Sequence, residues 1–230
     1  MRETIEPESG SALDEIRQDA SSRKRFLSMV GGAGAAGALA MFMAACGDDD
    51  EDTASTSEDS RPAGGGGAVD LEIVNYALTL EYLEADFYAA VISAGVVTDK
   101  AVGEAAKMIG ENEQEHVDAL VATAKKLGKP VKRPKTNFQS VIDGGEQMVL
   151  ETAATVENLG AAAYLGQAGR IESKEILAAA LSIHTVEARH AAALNTIVGK
   201  TIVPDGPDGA FAKPASMEEV LPQVKPFLVS

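Results

Sequence analysis

Between Val69 and Lys200, apolar side chains return at steps of three and four residues, the spacing that keeps one face of an α-helix dry. Interruptions of that rhythm mark four segments, near 69–94, 99–127, 140–169 and 173–199. The breaks Gly95–Asp99 and Gly169–Ser173 are short, so each joins its neighbours as an antiparallel hairpin. Ser173, with Ile176 behind it, has the form of a helix start. The central break, from Gly128 through Pro130, Pro134 and Asn137 to Gln139, is longer. Twelve extended residues at about 3.3 Å each reach ~40 Å, about the length of a 28-residue helix at 1.5 Å per residue. It can pass from one end of a bundle to the other and set the second and third helices parallel. The prediction is an all-α fold, a four-helix bundle with a long crossover between helices 2 and 3.

Ionisable residues interrupt every apolar seam. The first helix presents Val74, Leu78, Glu81, Ala85, Tyr88 and Ile92, and the third Leu150, Ala153, Glu157, Ala161, Tyr164 and Ala168. The second presents Val102, Ala106, Ile109, Glu113, His116, Leu120 and Ala124, and the fourth Ile176, Ala180, Ile183, Glu187, His190, Leu194 and Ile197. The polar positions repeat between the two hairpins, Glu81 and Tyr88 with Glu157 and Tyr164 at an offset of 76, Glu113 and His116 with Glu187 and His190 at 74. Counted from the predicted helix ends, the four glutamates lie within about 3 Å of one height.

Four carboxylates buried in one layer without partners would cost more than a domain of this size can absorb. A cation must offset them. Two divalent ions carry as much positive charge as Glu81, Glu113, Glu157 and Glu187 carry negative, and His116 and His190 supply one neutral nitrogen to each. The Glu-x-x-His spacing puts both side chains on one helix face. Oxygen and imidazole donors without sulfur suit iron or manganese better than structural zinc.

Charge and the leader change the picture outside the helices. The formal net charge of −15 divides as −1 over residues 1–46, −6 over 47–68 and −8 beyond, which argues against a nucleic-acid partner. Cys46 is the one cysteine, so neither an internal disulfide nor a cysteine metal cluster is available. Ser22-Arg23-Lys24-Arg25-Phe26-Leu27 precedes an uncharged run from Met29 to Ala45, the layout of an export signal. It resembles a twin-arginine signal, although Lys24 stands where that family has its second arginine, so the ordinary secretion route stays open. Met43-Ala44-Ala45-Cys46-Gly47 resembles the bacterial lipoprotein cleavage box, with Met43 in place of its usual leucine. That resemblance implies that Cys46 becomes a lipid-bearing N-terminus. The acidic and Gly-rich stretch after Cys46 reads as a flexible tether. The expected organisation is an export signal over 1–45, a lipid-anchored linker over 46–68, the bundle over 69–200 and a wrapping tail over 201–230. The tail should hold one short helix near Ser216–Leu221.

The helices, the crossover and the six ligand positions resemble the ferritin-like family with a carboxylate-bridged di-iron or di-manganese centre. Leu80-Glu81-Tyr82-Leu83-Glu84-Ala85-Asp86-Phe87-Tyr88 and the tail from Phe211 to Leu228 further resemble its branch of desiccation-related proteins. The resemblance implies that Glu81, Glu113, His116, Glu157, Glu187 and His190 hold two divalent ions, iron favoured over manganese, that meet oxygen or peroxide. Tyr88 and Tyr164 are expected as core aromatics bonding ligand carboxylates. His184 is expected as a satisfied core histidine, with support of the ligands as the alternative. Glu84, one turn from Glu81, is either an extra ligand or a surface carboxylate, and the surface is favoured. No residue stands out as catalytic. Ferroxidase or peroxide-consuming activity, a non-catalytic stress-protective lipoprotein and a manganese catalase-like activity all remain open. The expected location is the outer face of the bacterial cytoplasmic membrane or the cell envelope, with the membrane reached through lipid. A homodimer is compatible with the sequence, whereas a closed mineral-storing shell is disfavoured by the tether and the Pro-rich tail.

Overall fold

A computed structural model describes residues 66–202 and 210–229; the expected export signal, Cys46 and the expected linker up to residue 65 lie outside these residues, and positions 66–68, expected as the end of that linker, begin the first helix. Two long helices, α1 (Gly66–Ala94) and α2 (Lys100–Leu127), form the first hairpin. A short strand, β1 (Lys135–Thr136), and one helical turn, α3 (Gln139–Asp143), follow. The second hairpin is α4 (Gly145–Ala168) and α5 (Lys174–Ile197), and the tail holds α6 (Met217–Val224) and β2 (Leu228–Val229). α1 packs along α2, α4 along α5, and α1 against α4. This is the all-α bundle that the rhythm of the sequence predicts. None of the described helices is long and apolar enough to cross a membrane.

Polar clasps fix the direction of each helix. Thr98, just past α1, donates its backbone N–H (3.1 Å) and hydroxyl (2.7 Å) to Glu146 in the first turn of α4. At the other end, Asp70 of α1 accepts from the backbone N–H groups of Glu172 and Ser173, ahead of α5 (2.9 and 3.0 Å). α4 therefore starts where α1 ends, and runs parallel to α2. The crossover follows α1 upward. Asn75 accepts from the Val131 N–H (2.7 Å) and donates to the Lys129 carbonyl (3.1 Å). Three turns on, Asp86 accepts from Arg133 (2.7 Å) and Thr136 (2.9 Å), and Phe138 meets Phe87 edge to face at 5.3 Å. Asp99 and Ser173 cap α2 and α5 by accepting from the N–H groups of Val102 (3.0 Å) and Ile176 (3.3 Å).

Local chemistry explains where the elements depart from expectation. The single helix expected over 140–169 is broken at Gly144-Gly145, where Gly145 adopts φ +81°, a left-handed conformation that a side chain disfavours. α6 runs to Val224, with Pro222 in its interior. The Pro costs one backbone bond, but Val220 and Val224, one turn apart, bury fully on the core and carry the helix past it. β1 pairs antiparallel with β2, Lys135 opposite Val229 and Thr136 opposite Leu228, so the tail closes over the crossover. Ile92 and Ile197, expected on the inward stripes, are exposed in the last turns of their helices, where the neighbouring packing ends.

A polar layer divides the core. On α2, Ala106 and Ile109 belong to one apolar cluster, and Val117, Leu120 and Ala124 to another. Glu113 and His116 stand between them. On α5, Ile183 and Leu194 fall on the two sides of Glu187 and His190 in the same way.

Candidate metal centre

Each long helix delivers a glutamate to this layer: Glu81 from α1, Glu113 from α2, Glu157 from α4 and Glu187 from α5, all with 0% exposure. The three-residue step of the Glu-x-x-His motifs brings His116 and His190 onto the same inward faces, and both are buried. His116 Nδ1 lies 3.2 Å from Glu81 Oε2, 3.0 Å from Glu113 Oε2 and 3.1 Å from Glu187 Oε1. His190 Nδ1 lies 2.9 Å from Glu113 Oε1 and 3.3 Å from Glu157 Oε2. The six residues thus form two overlapping sets, Glu81, Glu113, His116, Glu187 and Glu113, Glu157, Glu187, His190, with ligand atoms within 4.8 Å of one another. Glu113 and Glu187 belong to both.

The tyrosines brace the layer across the halves, as expected from the sequence. Tyr88 of the first hairpin donates to Glu157 Oε1 of the second (2.6 Å), and Tyr164 of the second to Glu81 Oε1 of the first (2.5 Å). Asn112, which sequence reasoning missed, sets its Oδ1 3.2 Å from His190 Nε2. It lies one residue before Glu113, but its counterpart at the repeat offset is Val186, so the repeat gave no signal for it.

Glu84 overturns the preference for a surface position, because it is only 2% exposed. Its i,i+3 relation to Glu81 matches the Glu-x-x-His step, the one signal that could have placed it inside. It adds a fifth carboxyl group to the layer, one more than the four that two divalent ions would balance. His184 joins neither ligand set. It is half-buried, and its Nδ1 has no hydrogen-bond partner, so it is not the satisfied core histidine expected.

The residues fit a pair of cations. Five buried carboxylates present ten oxygens, and the donors aimed at them are two tyrosine hydroxyls and two imidazole nitrogens. Glu84 Oε2, Glu113 Oε1, Glu157 Oε2, both oxygens of Glu187 and His190 Nδ1 are buried without a hydrogen-bond partner. The short His190 distances coexist with that lack because the oxygens do not lie along the ring N–H direction. Lone pairs that converge without aligning on one another's hydrogens suit cations between them.

Electrostatics show how the layer compensates when only protons are at hand. Burial is the largest influence on Glu81 and pushes it up to about 7 against the opposing charge and hydrogen bond of His116. Burial also raises Glu84 and Glu187 well above the carboxylate range, with the charge of Glu187 adding to the first and that of Glu81 to the second. Glu157 is raised by burial too. Burial would raise Glu113 as well, but the hydrogen bond to His116 and the closeness of both imidazoles outweigh it and bring this carboxyl down to about 2. Burial would lower both histidines, but the charge of Glu81, the hydrogen bond to Glu113 and the Glu187 carboxylate 3.1 Å away raise His116 well above its ordinary value. The Glu113 and Glu157 carboxylates, 2.9 and 3.3 Å from its ring, lift His190 to about 9. Tyr88 and Tyr164 keep their protons, being raised well above 10 by burial and by the carboxylates they bond.

A search of curated proteins found no match. The pattern that defines the ferritin-like domain matches residues 69–200. That match runs from the first turn of α1 past the end of α5, and it includes both hairpins, the crossover and every residue of the buried layer. The chain belongs to the ferritin-like domain family.

Proposed function

We propose that this chain is an exported, lipid-anchored protein that holds two iron or manganese ions and uses them against oxygen or peroxide in stress protection. The observation that carries the reading is the buried layer of orphaned carboxylate oxygens, with His190 Nδ1 among them, in two overlapping four-residue sets. In this reading Glu81 and His116 serve one ion, Glu157 and His190 the other, and Glu113 and Glu187 both. The sulfur-free donors favour iron, then manganese. Paired ions of this kind, when bound, supply electrons for the reduction of oxygen or peroxide.

The protein's own residues do the rest. Tyr88 and Tyr164 each occupy one oxygen of Glu157 and Glu81, which fixes the oxygen left for an ion. Asn112 orients His190. Protons held by the histidines and raised glutamates must leave as ligands form, so loading releases protons. The apolar clusters on both sides keep bulk water from the layer. Support for export and anchoring is the basic patch, the apolar run and the position of Cys46.

The test is metal analysis of natively purified protein, followed by anaerobic Fe(II) loading and exposure to oxygen or peroxide. About two ions per chain and rapid oxidation of Fe(II) are expected, and His116→Ala with His190→Ala should remove most of the metal. Unchanged metal content in that double variant would eliminate the site. A loaded protein that stays inert would leave the ions a structural role only.

A further inference from the structure

Charge reverses sign at one place in the bundle. Between Asp118 and Asp143 the chain carries six basic residues, Lys125, Lys126, Lys129, Lys132, Arg133 and Lys135, and no acidic one. The rest of the chain from Gly66 onward holds 22 acidic against 8 basic residues, so a basic stretch stands alone in an acidic molecule. All six side chains are exposed. Lys125 and Lys126 sit in the last turn of α2 and offset its dipole, but Lys129, Lys132 and Lys135 lie past the helix and have no such use. Arg133 is already engaged, since Asp86 holds it at 2.7 Å and it lies 5.0 Å over the Tyr82 ring. Among the described residues none of the five lysines has a carboxylate within ion-pair distance, whereas Lys100 and Lys107 each meet a glutamate one turn on.

The fold spreads these charges along one flank. Gly128, which ends α2, lies so close to the second turn of α1 that a Cβ on it would stand 2.8 Å from Leu71 Cδ2. From there the crossover climbs α1 past Asn75 to Asp86. The rise from Leu71 to Asp86 is about 22 Å at 1.5 Å per residue. Leu127 and Val131 pack inward on an apolar cluster, and the exposed lysines are left on the outer side. Five mobile ammonium groups strung along a flank, with no concave site to gather them, suit a field spread over a surface better than one discrete phosphate. The flank also begins beside the start of α1, from which 20 residues lead back to Cys46.

We propose that this flank is a docking surface for anionic phospholipid headgroups, and that it lays the bundle with its crossover side against the membrane. The inference rests on the anchored reading above for its setting, because a lipid at Cys46 keeps the flank close to the bilayer and makes a weak contact effective. The charge reversal itself does not depend on that lipid.

Co-sedimentation of residues 46–230 with vesicles tests it. That chain keeps every described residue and has neither the apolar run of the leader nor a lipid, so binding reads the surface alone. It should bind vesicles of phosphatidylglycerol and phosphatidylcholine in equal parts at about 0.05 M salt, release at about 0.5 M, and ignore phosphatidylcholine alone. Lys125→Gln, Lys126→Gln, Lys129→Gln and Lys132→Gln combined should weaken binding at least about tenfold, since one lysine at an anionic surface is worth about fivefold. Lys100→Gln, Lys107→Gln, Lys200→Gln and Lys213→Gln combined remove the same charge elsewhere and should change it less than about twofold if the flank carries the binding. No binding to the anionic vesicles, equal binding to the neutral ones, or equal losses in the two variants would overturn the proposal. So would binding to heparin without binding to vesicles, which would make the ligand a soluble polyanion. Vesicle binding that persists while Cys46 takes up no fatty acid would remove the anchor and keep the surface; acylation without vesicle binding would do the reverse.

Discussion

Glu81, Glu84, Glu157 and Glu187 all have their pKa values raised by burial, and this fixes how the metal-free fold answers to pH. Glu81 titrates near 7 in the fold against an ordinary value of 4.5, so its contribution is complete below 4.5 and is lost as pH rises through 7. His190, raised from 6.5 to about 9, loses its contribution over that higher interval. Glu113, depressed to about 2, acts in the opposite sense and withdraws stability as pH falls from 4.5 through 2. Metal-free protein should therefore melt highest near pH 5 and progressively lower at pH 7 and pH 9, while bound divalent ions, which replace the protons, should reverse that decline. Calorimetric melting at the three pH values reads it directly, and a metal-free melting point that climbs from pH 5 to pH 9 would refute it. That six of these residues share one buried layer was legible in the sequence, because helical periodicity and the internal repeat both marked them. Glu84 was not, because its fate depends on what faces it, and only the pairing of α1 with α4 brings Gly160 opposite. Asn112 was hidden for the same reason, since it acts on a histidine of another helix.

Among the elements, the tail helix α6 makes the sharpest energetic claim. Val220 is fully buried at 0% exposure, whereas its neighbour Leu221 is 41% exposed. Val220→Ala removes two methyl groups from a packed core and should lower stability by about 2 kcal/mol, with Leu221→Ala costing well under half of that. Urea unfolding of the two variants compares them, and equal effects would mean that α6 is not anchored through its buried face. The long helices were readable because each repeats one apolar face over six turns or more. The β1–β2 pair was not, because two-residue strands more than ninety positions apart carry no periodic pattern of their own. The interruption at Gly144-Gly145 was written in the sequence, but the apolar rhythm on either side continues through it and conceals it.

For the whole molecule, the proposed anchor makes Cys46 a chemical address rather than a structural residue. Cells fed a labelled fatty acid should incorporate it into the wild-type chain and not into Cys46→Ala, with the variant released from the membrane fraction. Label retained in the variant would remove the anchor from the reading. The crossover and the clasps at Asp70 and Thr98 have a different consequence, because they join two hairpins that each supply only part of a site. Tyr88 steadies a glutamate of the second hairpin, Tyr164 one of the first, and both ligand sets draw on Glu113 and Glu187. Neither half can capture an ion in finished form while the other is still missing. In the proposed two-ion reading, the time of metal acquisition is therefore set by completion of the whole bundle, and so is the place. For the proposed export, a route that threads the chain unfolded leaves the choice of ion to the concentrations outside the cell membrane. One that carries the finished domain lets the cytoplasm choose.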